Sequence, residues 1–279
     1  MRKVNASERE YEIILKSESC QSIYPFIKDY QGSQAMYQPT PHHGRSFVVD
    51  RRYDRFIVSK GNGLGYSRYT FLNSREFGND TWGLLLEKDA IRDYHLGQDI
   101  SKLGIKTNVM ECVIRIENDI TLPNGATIKP SLLQYSVECP YRICDTAYMT
   151  RQELEKQITQ WGKDNQSGFK DFYLIASDIL IRNLKTLHEN NVLHNAIHPQ
   201  NYTWALELLD FELACSPCHP YDSIEDQRHV KDLLPREIIQ TYDVINHIAW
   251  SIGEEPNYSI LDELFYNYGF DLSEFSLSD

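Results

Sequence analysis

Val192-Leu-His-Asn-Ala-Ile-His-Pro-Gln-Asn-Tyr-Thr-Trp-Ala-Leu-Glu-Leu-Leu-Asp-Phe-Glu212 is the stretch on which the reading of the fold turns. Two of its residues, Asn201 and Asp210, offer hard oxygen ligands of the kind that Mg²⁺ prefers alongside water and phosphate. His194 opens the segment, and Ala196 follows two residues later with a side chain that can neither donate nor accept a proton. Two candidate metal ligands nine positions apart thus share a short stretch with a histidine.

This spacing resembles a protein kinase catalytic loop running into a kinase metal-binding strand. There, the pattern H-R-D-x-x-x-x-N supplies an Asp that accepts the substrate hydroxyl proton, and D-F-G supplies an Asp that holds Mg²⁺ on the phosphates. His194, Asn201 and Asp210 keep that register, while Ala196 stands at the base position. In kinase-like folds the histidine mainly structures the loop. Either the chain is a disabled kinase or its chemistry differs.

Composition narrows the class. A chain of 279 residues can form one large domain or two lobes, each with a core. A formal net charge of −12, with 28 scattered Lys and Arg, argues against nucleic acid or an anionic membrane as partner. The polar opening Met-Arg-Lys-Val-Asn-Ala-Ser-Glu-Arg-Glu10 contains no signal-peptide core, and no run approaches the ~18 apolar residues of a membrane span. A cytoplasmic protein is expected, with its six cysteines reduced.

Along the chain, the polar and turn-rich residues Pro39, Pro41, His42, His43 and Gly44 mark residues 1–45 as an irregular extension. Phe47–Asp50, Arg55–Val58 and Tyr69–Leu72 read as strands, with Lys60-Gly-Asn-Gly-Leu-Gly65 between the second and third. Apolar or small residues at Leu86, Ala90, Tyr94 and Ile100 predict a helix over 84–102 that ends at Leu103-Gly104. Strands are expected at Glu111–Ile116 and Leu132–Val137, with a turn at Pro123-Asn-Gly125. After about residue 148 the pattern turns helical: Glu153–Trp161, a stronger stripe over Asp171–Asn190, then Glu225–Asp243 and Ile245–Ile252. A last amphipathic segment places Leu261, Leu264, Phe265, Tyr266 and Tyr268 in the core. The expected fold is α+β and bilobal, with a β-rich N-lobe over 1–140 carrying one helix, and a helical C-lobe over 141–279.

From His194 to Asp210 is 16 positions, shorter than the hairpin usual in kinase and sugar-phosphotransferase patterns. The segment resembles the selenoprotein O family, whose H-G-V-x-N-T-D-N-M-S…D-Y-G-P has His194 at its His, Ala196 at its Val, Asn201 at its second Asn, Thr203 at its Ser and Asp210 at its last Asp. Lys60-Gly-Asn-Gly-Leu-Gly-Tyr-Ser-Arg68 is similar to the family's K-G-x-G-x-T-P-Y-S-R, one residue shorter. Ala90-Ile-Arg-Asp-Tyr-His-Leu-Gly-Gln-Asp-Ile-Ser-Lys-Leu-Gly-Ile-Lys-Thr107 is similar to S-I-R-E-F-L-x-S-E-A-M-x-x-L-G-I-P-T, which puts Asp93 where the family pairs a Glu with its nucleotide-binding lysine. Val137-Glu-Cys-Pro-Tyr-Arg-Ile-Cys-Asp-Thr146 resembles V-A-x-S-H-I-R-x-G-T and puts Arg142 among the phosphate-binding arginines. The likeness spans roughly residues 58 to 213 of a family that is substantially longer. Gln200 and Glu212 depart from it, replacing an Asp and the Gly of D-Y-G.

The resemblance implies a protein adenylyltransferase, a kinase-like enzyme that transfers AMP from ATP to a protein hydroxyl with Mg²⁺ or Mn²⁺. It implies catalytic roles for Lys60, Asn201 and Asp210, with Asn201 and Asp210 holding the metal. It assigns the nucleotide to Lys60, Gly61, Gly63, Gly65, Arg68, Asp93 and Arg142. The partners expected are ATP and an unidentified protein or peptide hydroxyl, with no nucleic acid and no membrane. Such transfers need mainly positioning and neutralised charge, and a general base contributes less. Two other readings stand beside it. His194-Asn-Ala-Ile-His-Pro-Gln-Asn201 also resembles the H-G-D-x-H-P-x-N of aminoglycoside and protein kinases, which makes Ala196 an Asp-to-Ala substitution; or the chain is an inactive ATP-binding scaffold. Cys215-Ser-Pro-Cys-His219 has the form of a haem-attachment or half-zinc motif and is read as a proline turn carrying two thiols.

Overall fold

The computed structural model describes residues 4–28, 33–35, 37–40, 45–63, 83–122, 125–164, 172–221 and 224–274. Among the described residues, eleven strands lie at Val4–Glu8 (β1), Tyr11–Lys16 (β2), Phe26–Lys28 (β3), Ser33–Ala35 (β4), Gln38–Pro39 (β5), Ser46–Arg52 (β6), Arg55–Lys60 (β7), Val109–Ile116 (β8), Ile120–Thr121 (β9), Thr127–Ile128 (β10) and Ser131–Val137 (β11). The α-helices are Glu87–Lys102 (α1), Arg151–Asp164 (α2), Phe172–Glu189 (α3), Ile224–Ile252 (α4) and Tyr258–Asn267 (α5). The class is α+β: strands dominate the N-terminal half and helices the C-terminal half. The chain divides into two compact units, one of Met1–Asp99, Thr107–Tyr141 and Asp210–Glu212, the other of Ile100–Lys106, Arg142–Leu209 and Leu213–Asp279.

The first unit is built on an antiparallel sheet in the order β2-β8-β11-β7-β6-β5. β11 is buried at all seven positions, as a central strand covered on both faces must be. Its Leu132 packs with Cys112, Ile114 and Ile116 of β8 and with Ile27 and Leu84 in one apolar cluster. Each such side chain removed from water contributes about 2 kcal/mol. β6 and β7 form a hairpin whose turn residue Tyr53 takes a φ of 55°. After β7, Gly61 and Gly63 have φ of 93° and 60°. A Cβ on Gly61 would stand 2.6 Å from the Leu85 Cβ and 2.8 Å from the Ser131 carbonyl, so close packing requires glycine there.

The expected irregular extension over residues 1–45 contains regular strands: β1 pairs with β3 and β4 in a separate small sheet, and β2 joins the edge of the main one. These strands are short and mixed in polarity, so their two-residue period is weak. The expected strand Tyr69–Leu72, the turn residues Pro41–Gly44 and the Pro123-Asn124 part of the next turn lie outside the described residues.

In the second unit, α3 presents Phe172, Ala176, Leu180, Leu184 and Leu187 as a buried stripe and packs against α4 and α5. The two helices expected over 225–252 are one, α4, which runs on past Asp243 because Val244 and its neighbours contain no helix breaker; Pro235 lies inside it. In α5, Leu261 and Phe265 are buried, whereas Tyr266 is 73% exposed and does not belong to the core. No disulfide joins the six cysteines. Ser216 and His219 exchange backbone hydrogen bonds, closing a tight turn between buried Cys215 and exposed Cys218. Among the described residues no helix is long and apolar enough to cross a membrane.

Candidate functional site

Lys60 ends β7 with its side chain almost wholly buried. Its register partners are Ser46 on β6 and Leu133 on β11, so the three side chains leave the same face of the sheet. A buried ammonium needs anionic partners. Asp93 Oδ2 and Asp210 Oδ1 accept hydrogen bonds from its Nζ at 2.7 Å each, and Glu212 Oε1 lies 2.6 Å away. Burial alone would lower the Lys60 pKa, but Asp210, Asp93 and Glu212 outweigh it and raise the value, so the amine stays charged.

Asp93 sits on α1 between buried Ala90 and Tyr94. Burial pushes its pKa up, Lys60 opposes that rise, and Asp210 and Glu212 add to it. Its second oxygen, Oδ1, accepts from the Phe211 backbone N–H at 3.1 Å, so one carboxylate ties both the lysine and the 210–212 segment to the helix. One turn on, a Cβ at Gly97 would lie 2.2 Å from Met110 Cε and 3.2 Å from the Phe211 ring; the bare backbone admits both side chains. Asp210 itself takes a φ of 68°, a left-handed conformation uncommon outside glycine. The Asp93–Phe211 and Lys60–Asp210 bonds hold it there.

Arg45 completes the cluster, and the sequence reading did not single it out. Its carbonyl accepts from Gly61 and Asn62 N–H at 2.8 and 3.1 Å, which fixes it beside the end of β7. Its Nη2 reaches Glu212 Oε1 at 3.0 Å and Asp210 Oδ2 at 3.4 Å. Burial opposes the guanidinium charge, and Glu212 and Asp210 outweigh burial and raise its pKa. No motif includes Arg45; the only signal was its place one residue ahead of a strand that pairs with the Lys60 strand.

Three carboxylates thus face two cations. One oxygen from each of Asp93, Asp210 and Glu212 lies within 4.8 Å of the other two, the one such grouping of His, Cys, Asp or Glu among the described residues. An all-oxygen, net-acidic set of this kind fits Mg²⁺ or Mn²⁺, and the two cations beside it fit phosphate oxygens.

The second unit carries the other expected residues. Buried His194 bonds through Nε2 to the Leu209 carbonyl at 2.9 Å. Asn201 donates through Nδ2 to the Ala196 carbonyl at 2.9 Å, and Leu209 N–H donates to the Asn201 carbonyl at 2.8 Å. Tyr202 and Leu208 bridge across a tight turn in which Thr203 Oγ1 donates to Glu207 Oε2 at 3.0 Å. That turn is the short connection between His194 and Asp210. Arg142 is 4% exposed and donates to the Gln200 carbonyl at 2.7 Å, with Asn201 Oδ1 at 3.5 Å. Its guanidinium therefore braces the loop backbone. Of the expected residues, Lys60, Asp93 and Asp210 come together in the first unit, and Asn201 and Arg142 in the second. Gly61 and Gly63 form the turn after Lys60, and Gly65 and Arg68 lie outside the described residues.

No protein-family model and no curated protein sequence matches the chain. Among solved structures, a rhoptry antigen kinase domain of Toxoplasma gondii aligns at a TM-score of 0.39 and 12% identity, covering 78% of this chain and 69% of that one. A virulence factor of the same organism, described as having a protein-kinase fold and no enzymatic activity, aligns at 0.32 and 10% identity, covering 95% of this chain and 78% of that one.

Proposed function

We propose that this chain is a kinase-like nucleotidyltransferase that binds ATP with a divalent cation and transfers AMP to a hydroxyl of a protein substrate. The observation that carries the reading is the Lys60 ammonium held between Asp93 on α1 and Asp210 on the following metal-type segment. That arrangement is the lysine–helix acid–metal acid set used in phosphoryl-transfer sites, with Asp in place of Glu on the helix. Ala196 at the base position argues against ordinary phosphotransfer to a hydroxyl and for a reaction driven by position and charge.

In this reading Lys60 and Arg45 take the phosphate oxygens, and Asp93 keeps Lys60 aimed by its 2.7 Å bond. Asp210 and Glu212 supply carboxylate oxygens for the cation. When bound, the cation neutralises charge on the phosphates and on the leaving pyrophosphate. Asp93 also keeps Asp210 in place through Phe211 N–H.

Incubation with Mg²⁺ and ATP labelled at either the α- or the γ-phosphate, read by intact mass, tests the chemistry, with Asp210→Ala as control. A mass gain of one AMP with α-label is expected. A gain of one phosphoryl group with γ-label would replace this reading with a kinase. A second reading, a silent ATP-binding scaffold, draws on Glu212, which neutralises the lysine at 2.6 Å and has no counterpart in the D-F-G pattern. That reading predicts nucleotide binding and no label in either arm.

A further inference from the structure

We propose that Arg45 and Lys60 form a two-cation phosphate clamp whose resident anion is the Glu212 carboxylate, so that an incoming polyphosphate must displace Glu212. The proposal rests on the nucleotide reading above and adds to it a built-in competitor.

A single atom, Glu212 Oε1, lies 2.6 Å from Lys60 Nζ and 3.0 Å from Arg45 Nη2. One carboxylate oxygen bridging an ammonium and a guanidinium occupies the place that a phosphate oxygen takes between two such cations. Both cations keep an anchor other than Glu212. Lys60 is held by its strand and by Asp93; the Arg45 backbone is held by the Gly61 and Asn62 N–H bonds to its carbonyl, and its guanidinium keeps Asp210 as a second anion at 3.4 Å. The Glu212 side chain keeps 18% exposure and Arg45 25%, against 1% for Asp93, so the Glu212–Arg45 contact lies on the open side of the cluster, where an incoming anion meets it first. Removing Glu212 leaves Lys60 with Asp93 and Asp210, so the lysine stays paired while Arg45 loses its nearer anion.

A divalent cation changes the balance. Asp210 and Glu212 are hard ligands, and a cation that draws them away releases both basic groups to the phosphates. The wild-type chain therefore binds polyphosphate weakly without metal and well with it. Neutralising Glu212 removes the competitor and with it most of the metal requirement.

Titration calorimetry with inorganic pyrophosphate and with ATP, each in EDTA and in Mg²⁺, tests this on the full chain. Glu212→Gln keeps the size and shape of the side chain. It is expected to bind metal-free pyrophosphate about tenfold more tightly than wild type, the scale of one charge-assisted contact regained. Adding Arg45→Met to Glu212→Gln is expected to remove most of that gain. Equal affinity of wild type and Glu212→Gln, or a gain that survives loss of Arg45, overturns the clamp. If wild type binds Mg²⁺-ATP while Glu212→Gln shows no gain, the clamp fails and the nucleotide reading stands. If pyrophosphate behaves as stated and ATP binds in no condition, the clamp stands and the nucleotide reading fails. No binding in any arm overturns both.

Discussion

Two buried polar centres hold their cations in opposite ways. In the first unit Lys60 and Arg45 are answered by side-chain carboxylates, three of which crowd the pair. In the second, Arg142 is answered by the Gln200 backbone carbonyl and lies near the side-chain oxygen of Asn201. Carboxylates can turn to another cation, and their partners can then take another anion. A guanidinium bonded to backbone exchanges nothing without unfolding the loop it braces. The same residue class thus builds a site in one place and a framework in the other.

The contrast can be broken most sharply at Lys60. Lys60→Met leaves three carboxylates with one cation, and a loss of about 4 kcal/mol in denaturant unfolding is expected, as for other buried pairs cut on one side. A loss below about 1 kcal/mol would mean the cluster is far more solvated than its burial implies. Gly61→Ala strikes the same place sterically, through the Ser131 carbonyl at 2.8 Å and the φ of 93°, and about 3 kcal/mol is expected by the same measurement. Arg142→Lys tests the framework side. It loses the planar donor to Gln200 and should cost about 1 to 2 kcal/mol of stability at unchanged ATP affinity. Lost affinity at unchanged stability would instead give Arg142 the phosphate-binding role that the family resemblance implies.

The smallest expected effect is in pH dependence, and its sign differs between the units. Half-buried His247 on α4 has its pKa pushed below 6.5 by burial and then by His198. Its contribution is present above pH 6.5 and is lost as pH falls through the folded value. Melting curves between pH 7 and 5 should therefore fall less steeply for His247→Asn than for wild type. Lys60 is shifted the other way: its contribution is present below 10.5 and is lost only as pH rises through its raised folded value.

How much of this was legible in the sequence depended on whether a residue sat in a pattern. The α+β class, the α1 helix and the α3 stripe were readable because their periods are long and clean. Asp93 was found opposite Lys60 because a motif relates the two, and the structure has them 2.7 Å apart. Arg45 was missed because it belongs to no motif and its partners Asp210 and Glu212 lie far along the chain, and Glu212 was read only as a departure from the D-Y-G of the family. The strands before residue 40 escaped because two- to six-residue segments show little alternation. Tyr266 was placed in the core because periodicity marks an apolar face without saying how wide a face is covered.

The central claim is that the Lys60 cluster is a nucleotide site, and equilibrium titration of ATP in Mg²⁺ against wild type and Asp210→Ala tests it most directly. Saturable binding by wild type, weakened at least tenfold in Asp210→Ala, is the result this account predicts. Equal binding by both, or binding by neither, would contradict it.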